Sequence, residues 1–189
     1  GDLLGTDDPL DPTRAVVVFH NGAYKPELRG YSGIFADDED WDVWKVIGNI
    51  YYVGVRTLSA FLIVTPQGNI LMNSTYERNV PVIQKSIADL GFKFADTKIL
   101  VGSHAHTDHM EGDAVVKQLT GAQVVAMAED VDALKAMTPG GKAHPIDRVI
   151  HDGDTVTLGG TTLTAHLTAG HTPGCTTWTM KAQEGGKTY

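Results

Sequence analysis

The chain has 189 residues, of which 42% are hydrophobic and 20% are charged, and this ordinary globular composition predicts one domain over residues 1–189. The formal net charge of −8 argues against a nucleic-acid partner, and no apolar run is long enough for a membrane helix. The single cysteine, Cys175, excludes an internal disulfide and is expected to be a small packing residue. These residues show no signal-peptide pattern, so we interpret the chain as a mature form.

Residues 1–40 are predicted to form an irregular N-terminal arm with one strand, at Ala15–Phe19. Asp, Pro and Gly are frequent at its start, and the acidic run Asp37–Asp40 is typical of a solvated loop. Trp41 and Trp44 follow, one helical turn apart. They either belong to the core, which we favour, or line the rim of a pocket.

A β-meander, a helix and a further strand are predicted after this arm. Runs of apolar and β-branched residues indicate strands at 50–53, 59–65, 70–72 and 98–101. The turn Pro66–Asn69 connects the second and third of these strands. Ser74 or Thr75 is expected to cap a helix that runs to Leu90, with Gly91 as its stop.

A histidine-rich loop follows the last of these strands. Gly102 ends the apolar run, and the motif His-x-His-x-Asp-His then places His104, His106, Asp108 and His109 on a strand-end loop. In an extended segment His104 and His106 point to the same side and could bind one ion, while Asp108 and His109 could turn to a second. Imidazole and carboxylate ligands together suit zinc. The alternative is a polar surface loop, which three histidines around one aspartate disfavour.

The remaining chain predicts two helices and a second group of strands. The helices are expected over 113–120, with Val115, Val116 and Leu119 apolar, and over 129–137. The strands are expected at 123–126, 148–150, 155–158, 161–167 and 175–181. Between them, Pro and Gly in Thr138–Ile146 predict a mobile loop with an exposed His144.

One more histidine lies in the Gly/Pro turn Ala169–Trp178. His171 would supply a third imidazole beside His104 and His106. A catalytic zinc ion uses three protein ligands and keeps one open position, which these three residues would satisfy.

These motifs resemble those of the metallo-β-lactamase superfamily. The His-x-His-x-Asp-His loop, the turn Ala169–Trp178 and the segments Tyr51–Gly54 and Leu58–Ile63 are similar to the third subclass of class B (zinc) β-lactamases. The resemblance covers residues 41–189 and implies an α/β fold, the four-layer αββα sandwich, with the metals at one edge between the sheets. It also implies that the family's C-terminal portion, with the last ligand of the second zinc, lies beyond Tyr189.

The resemblance further implies a di-zinc hydrolase that opens the β-lactam ring of penicillins, cephalosporins and carbapenems with a metal-bound hydroxide. His104, His106 and His171 would bind the first zinc ion. Asp108 and His109 would bind the second, and Asp108 would also orient the nucleophile. The expected partner is a small-molecule β-lactam, without nucleic acid or membrane. A periplasmic or secreted location is implied, and the oligomeric state is not predicted.

Three other functions share the histidine motif. A glyoxalase II-like hydroxyacyl-thioester hydrolase and a lactonase are the alternatives, whereas the acidic charge disfavours an RNA-processing nuclease. The segments Leu58–Leu62 and Cys175–Trp178 favour the β-lactamase. A closed structural zinc site usually has several cysteine ligands, and this chain has a single cysteine.

Overall fold

The computed structural model describes residues 43–189, so the predicted N-terminal strand Ala15–Phe19 and Trp41 lie outside the described residues. The strands are β1 (Trp44–Ile47), β2 (Ile50–Tyr52), β3 (Phe61–Thr65), β4 (Gly68–Met72), β5 (Thr97–Val101), β6 (Gln123–Met127), β7 (Arg148–Ile150), β8 (Thr155–Leu158), β9 (Thr161–Leu167), β10 (Thr176–Met180), β11 (Gln183–Glu184) and β12 (Lys187–Thr188). The α-helices are α1 (Val80–Asp89), α2 (Thr107–Met110), α3 (Asp113–Thr120) and α4 (Val131–Ala136).

The largest sheet has seven strands in the order β1 to β7. Neighbouring strands are antiparallel from β1 to β4 and parallel from β4 to β7. The parallel half brings the carboxyl ends of β4, β5 and β6 to the same edge of the sheet. Loops at the carboxyl ends of parallel strands are the usual place for a binding site in an α/β protein.

Both faces of this sheet are covered, which explains why its strands have continuous apolar runs instead of an alternating pattern. One face packs on the three-stranded sheet β10–β9–β8 through a shared core that includes Ile63, Ile99 and Trp178. The other face packs on α1 and α3 through a second core that includes Leu100 and Ile83. The predicted α/β sandwich of packed sheets with helices outside is confirmed. No helix among residues 43–189 has the length and apolar content of a membrane span.

The start of α1 differs from the prediction. The helix begins at Val80 after a 3-10 turn at Glu77–Asn79, and neither Ser74 nor Thr75 caps it. The Ser74 hydroxyl instead donates to Asp113, 39 residues away, at 2.6 Å. A hydroxyl residue just before a helical pattern commonly caps the helix. Here the Ser74 hydroxyl donates to the buried Asp113 carboxylate instead.

Two side chains lie in surroundings other than those predicted. Leu119 was expected on the apolar face of α3, but it is 51% exposed, and Val116 supplies the buried contact. His144 was expected to be exposed in a mobile loop, but it is 6% exposed. Its Nε2 lies 3.1 Å from Oδ2 of Asp113 and 3.1 Å from the Met110 carbonyl oxygen. The prediction for His144 was wrong because the buried carboxylate anchors the loop.

Candidate metal centre

The histidine-rich loop begins where β5 ends. His104 lies on this loop and is 2% exposed, whereas His106 is exposed and takes the N-cap position of the short helix α2. Asp108 and His109 are both on α2, a single helical turn that changes the direction of their side chains relative to the preceding extended segment. His171 comes from the β9–β10 connection and is exposed. The site therefore has a buried floor and an open rim.

Three imidazoles form the first metal group, which we define as His104, His106 and His171. Their ring centroids lie 4.8, 4.7 and 4.7 Å apart, so they form a nearly equilateral triangle. Nδ1 of His106 lies 3.0 Å from Nε2 of His171. Two nitrogen ligands of a tetrahedral zinc ion lie about 3.3 Å apart, given Zn–N bonds of about 2.0–2.1 Å.

His104 has the properties of a metal ligand. Its Nε2 is buried and has no hydrogen-bond partner among the described residues. Its Nδ1 lies 3.1 Å from the Ser103 hydroxyl oxygen. A metal-binding histidine typically uses one ring nitrogen for the ion and donates the N–H of the other to a nearby acceptor. The donor set therefore fits a metal ion, which the buried Nε2 would ligate while Nδ1–H donates to Ser103.

The second metal group, which we define as His104, Asp108 and His109, shares one histidine with the first. One potential ligand atom from each residue lies within 4.8 Å of the others. Nε2 of His109 lies 3.4 Å from Oδ2 of Asp108. The mixture of imidazole and carboxylate is suited to zinc. The structure thus brings together all five residues that the sequence predicts for the site.

Burial keeps the inner histidines in the neutral form that can bind a metal. Loss of solvation, reinforced by the neighbouring imidazoles, lowers the pKa of His104 to about 3. Loss of solvation also lowers the pKa of His109, although the Asp108 carboxylate opposes that shift. Both imidazoles therefore have an available lone pair at neutral pH.

The segment after β4 holds the carboxyl end of α2. The backbone N–H groups of Ser74 and Thr75 both donate to the His109 carbonyl oxygen, at 3.0 and 2.9 Å. Asn73 and Thr75 have φ values of 62° and 58°, a conformation that non-glycine residues rarely adopt. Asn73 accepts the Ser103 N–H at 2.9 Å through Oδ1, and its Nδ2 lies 3.4 Å from Nδ1 of His109. This strained segment therefore links both metal groups to the sheet.

The three-stranded sheet fixes the turn that carries His171. The Thr176 N–H donates to the Ser103 carbonyl oxygen at 2.8 Å. The Trp178 indole N–H donates to the Gly102 carbonyl oxygen at 2.9 Å. β10 is thereby bonded to the segment that immediately precedes His104, and the two halves of the site are held together across the sandwich.

Asp130 is a buried carboxylate that contacts both loops of the first metal group and was not predicted from the sequence. It accepts hydrogen bonds from Ala105, Thr172 and Gly174. Its position just after β6 places it at the carboxyl end of a strand, but that position does not reveal its distant partners. The other described histidines, His144, His151 and His166, belong to neither metal group. Cys175 is half-buried and also lies outside both groups.

The family model of the metallo-beta-lactamase superfamily matches residues 53–183. The chain therefore belongs to the metallo-β-lactamase superfamily, as the motifs indicated. Its structural neighbours include native FEZ-1 metallo-beta-lactamase from Legionella gormanii, with a TM-score of 0.77 and 48% identity over 82% of this chain and 63% of that chain. BJP-1, a subclass B3 metallo-beta-lactamase of Bradyrhizobium japonicum, has a TM-score of 0.74 and 41% identity over 80% of this chain and 61% of that chain.

Relatives identified from the sequence alone carry the names of other enzymes. A hydroxyacylglutathione hydrolase from Hyphomonas neptunium is 39% identical over 72 residues, which are 38% of this chain and 25% of that protein. A probable metallo-hydrolase from Burkholderia pseudomallei is 31% identical over 102 residues, which are 50% of this chain and 34% of that protein. The chain thus spans at most about a third of these two relatives and less than two thirds of the two solved chains. Together the comparisons define a domain of the metallo-β-lactamase superfamily, and the structure gives it a histidine-rich candidate metal site.

Proposed function

We propose that this chain is part of a zinc-dependent β-lactamase that opens the lactam ring of penicillins, cephalosporins and carbapenems. The observation that carries the proposal is the 48% identity to a metallo-beta-lactamase over 82% of the chain, with the superposed fold, together with the two metal groups that meet at His104. A periplasmic or secreted location and a role in antibiotic resistance belong to the same proposal.

The residues have distinct roles in this proposal. His104, His106 and His171 hold one ion. Asp108 and His109 hold a second, because the single free ring nitrogen of His104 binds only the first ion. Bound zinc polarises a carbonyl oxygen and lowers the pKa of water to about 7, which supplies a nucleophile at neutral pH.

Asp108 both binds the second ion and orients the attacking water. One carboxylate oxygen faces His109, and the other can accept a hydrogen bond from the attacking water. His106 and His171 are exposed, so the lactam carbonyl can approach from the open rim, while His104 and His109 form the buried floor. The proposal requires no serine nucleophile.

A hydroxyacyl-thioester hydrolase is the second candidate. The relative from Hyphomonas neptunium specifically favours it, because that protein is a hydroxyacylglutathione hydrolase. The same metal groups could serve a thioester carbonyl, since that reaction also needs an activated water and a polarised carbonyl. A lactonase remains a further alternative of the same chemistry.

Parallel assays separate these candidates. The protein is given a carbapenem, a cephalosporin and a glutathione thioester, each with and without a metal chelator. We expect lactam opening that stops with chelator, returns with zinc and is insensitive to a mechanism-based inhibitor of serine β-lactamases. Efficient thioester cleavage without lactam opening would favour the second candidate. Full lactam turnover in a metal-free sample would contradict both.

A further inference from the structure

Asp130 lies between β6 and α4 and is 2% exposed. Its Oδ2 accepts hydrogen bonds from the Ala105 N–H at 2.8 Å and from the Thr172 hydroxyl at 2.9 Å. Its Oδ1 accepts the Gly174 N–H at 2.7 Å. A buried carboxylate is costly unless its oxygens are hydrogen-bonded, and these three donors satisfy both oxygens.

The three donors flank the ligands of the first metal group. Ala105 lies between His104 and His106, and Thr172 directly follows His171. The two segments are 65 residues apart in the chain, counted from His106 to His171. One carboxylate therefore joins the two segments that carry all three imidazoles.

We propose that Asp130 is a positioning residue for the first metal group. Its carboxylate holds the loop with His104 and His106 and the turn with His171 at the separation that a single ion requires. This inference rests on the metal site of the proposed function, but not on which substrate the enzyme cleaves.

The chemistry of the contacts explains why an aspartate is needed. All three partners donate, so both carboxylate oxygens must accept. An asparagine of the same shape has one acceptor oxygen and one NH₂ donor. In Asp130→Asn the amide NH₂ would face at least one of the N–H or O–H donors, and that buried donor would lose its partner.

Gly174 supplies a second, independent way to disturb the same contact. A Cβ at this position would lie 2.5 Å from Cγ and 2.6 Å from the backbone nitrogen of Asp130. Because a backbone atom cannot move aside cheaply, Gly174→Ala should push the turn away from the carboxylate. Gly170 is in the same turn, and a Cβ there would meet nothing within 4 Å. Gly170→Ala is therefore a matched control.

The test is metal binding by the full chain, because it is independent of turnover. Affinity for the first equivalent of zinc is measured by competition with a chromophoric chelator. The visible absorption of the cobalt-substituted protein reports the arrangement of the ligands. Thermal unfolding of the metal-free protein measures stability separately. The variants are Asp130→Asn, Thr172→Val and Gly174→Ala.

Asp147 provides a control for the general loss of a carboxylate. It lies near the opposite end of β6 and accepts the Val124 N–H at 2.8 Å, and it also pairs with Lys117. Asp147→Asn should lower the unfolding temperature without changing zinc affinity or the cobalt spectrum. Gly170→Ala should change neither affinity nor spectrum.

We expect Asp130→Asn and Gly174→Ala to weaken zinc binding by about 10–100-fold, the usual effect of removing a group that orients a metal ligand, and to alter the cobalt spectrum. Thr172→Val, which removes one of the three donors, should have a smaller effect of the same kind. Wild-type affinity and spectrum in Asp130→Asn, even with lower stability, would overturn the inference. If Asp130→Asn does not fold, unchanged binding in both other variants would overturn it.

The result also distinguishes this inference from the proposed function. A wild-type protein that binds zinc but opens no lactam would contradict the β-lactamase proposal, while the comparison of variants would still decide the role of Asp130. A wild-type protein that binds no zinc or cobalt would overturn both.

Discussion

His144 and Asp113 form a buried pair that anchors the Thr138–Ile146 segment to the start of α3. Nε2 of His144 lies 3.1 Å from Oδ2 of Asp113, and their side chains are 0% and 1% exposed. Ser74, which follows β4, donates to the other carboxylate oxygen at 2.6 Å. The pair thus connects a loop, a helix and the strained segment beside α2.

The pair predicts a pH-dependent contribution to stability. Although burial opposes it, the hydrogen bond and charge of Asp113 raise the pKa of His144 above its ordinary value of about 6.5. Burial raises the pKa of Asp113 above its ordinary value, and His144 opposes that shift. A histidine with a raised pKa adds stability that is fully present below pH of about 6.5 and is lost as the pH rises through its folded-state pKa.

We therefore expect His144→Ala to lower the free energy of unfolding by about 3–5 kcal/mol at pH 6, as removal of one partner from a buried pair does. The difference from wild type should shrink as the pH rises. Urea denaturation of the metal-free proteins at a series of pH values measures it. His151→Ala is the control, because the side chain of His151 is 71% exposed and its loss should cost within about 0.5 kcal/mol. A constant difference across the pH series would contradict the prediction.

The two metal groups predict unequal effects of losing a ligand. His171→Ala removes one of the three imidazoles of the first metal group and should abolish tight zinc binding there. Asp108→Asn should retain substantial zinc through His104, His106 and His171, yet lower turnover by about 10²–10⁴-fold, because its carboxylate orients the attacking water. Metal analysis after dialysis and steady-state kinetics measure the two effects. Equal loss of all zinc in both variants would show that this division of ligands is wrong.

Features set by local pattern could be predicted from the sequence. β9 has the predicted bounds Thr161–Leu167, because Leu163 and Ala165 alternate with polar residues and are buried on one face. α3 ends at Gly121, which adopts the left-handed conformation that the stop signal implies. The histidine motif is equally local, since its spacing and its place after a buried strand define the candidate ligands without knowledge of the rest of the fold.

Features set by distant contacts could not be predicted. Asp130 contacts residues that are 25, 42 and 44 positions away, and its local sequence looks like an ordinary acidic start of a helix. His144 lies in a Gly/Pro-rich segment typical of an exposed loop, and only Asp113 explains its burial. In both cases the deciding partner belongs to another element, which periodicity and turn signals do not reveal.

Val116 and Leu119 allow a matched test of which face of α3 is buried. Val116 is 0% exposed and packs beneath the sheet, whereas Leu119 is 51% exposed. Val116→Ala removes two buried carbon atoms and leaves a cavity, so it should cost about 2 kcal/mol. Leu119→Ala removes more carbon atoms but should change the free energy of unfolding by less than about 0.5 kcal/mol. Urea denaturation measures both, and a larger cost for Leu119→Ala would contradict the assigned face.

Asn73 combines backbone strain with contacts to the site. Its φ of 62° is easily adopted by glycine, whereas alanine would retain the strain. Both Asn73→Gly and Asn73→Ala remove the acceptor of the Ser103 N–H and leave that buried group without its side-chain partner, at a cost of about 1–3 kcal/mol.

The difference between the two substitutions isolates the strain. Asn73→Ala should be less stable than Asn73→Gly by a further ~1 kcal/mol, because a Cβ disfavours the left-handed conformation. Urea denaturation of the metal-free proteins gives both values. Gly153→Ala is a reference for the strain alone, since its φ is 82° and a Cβ there would meet nothing within 4 Å. Equal stability of Asn73→Ala, which retains the strain, and wild type would show that the contact with Ser103 does not stabilise the loop that carries His104.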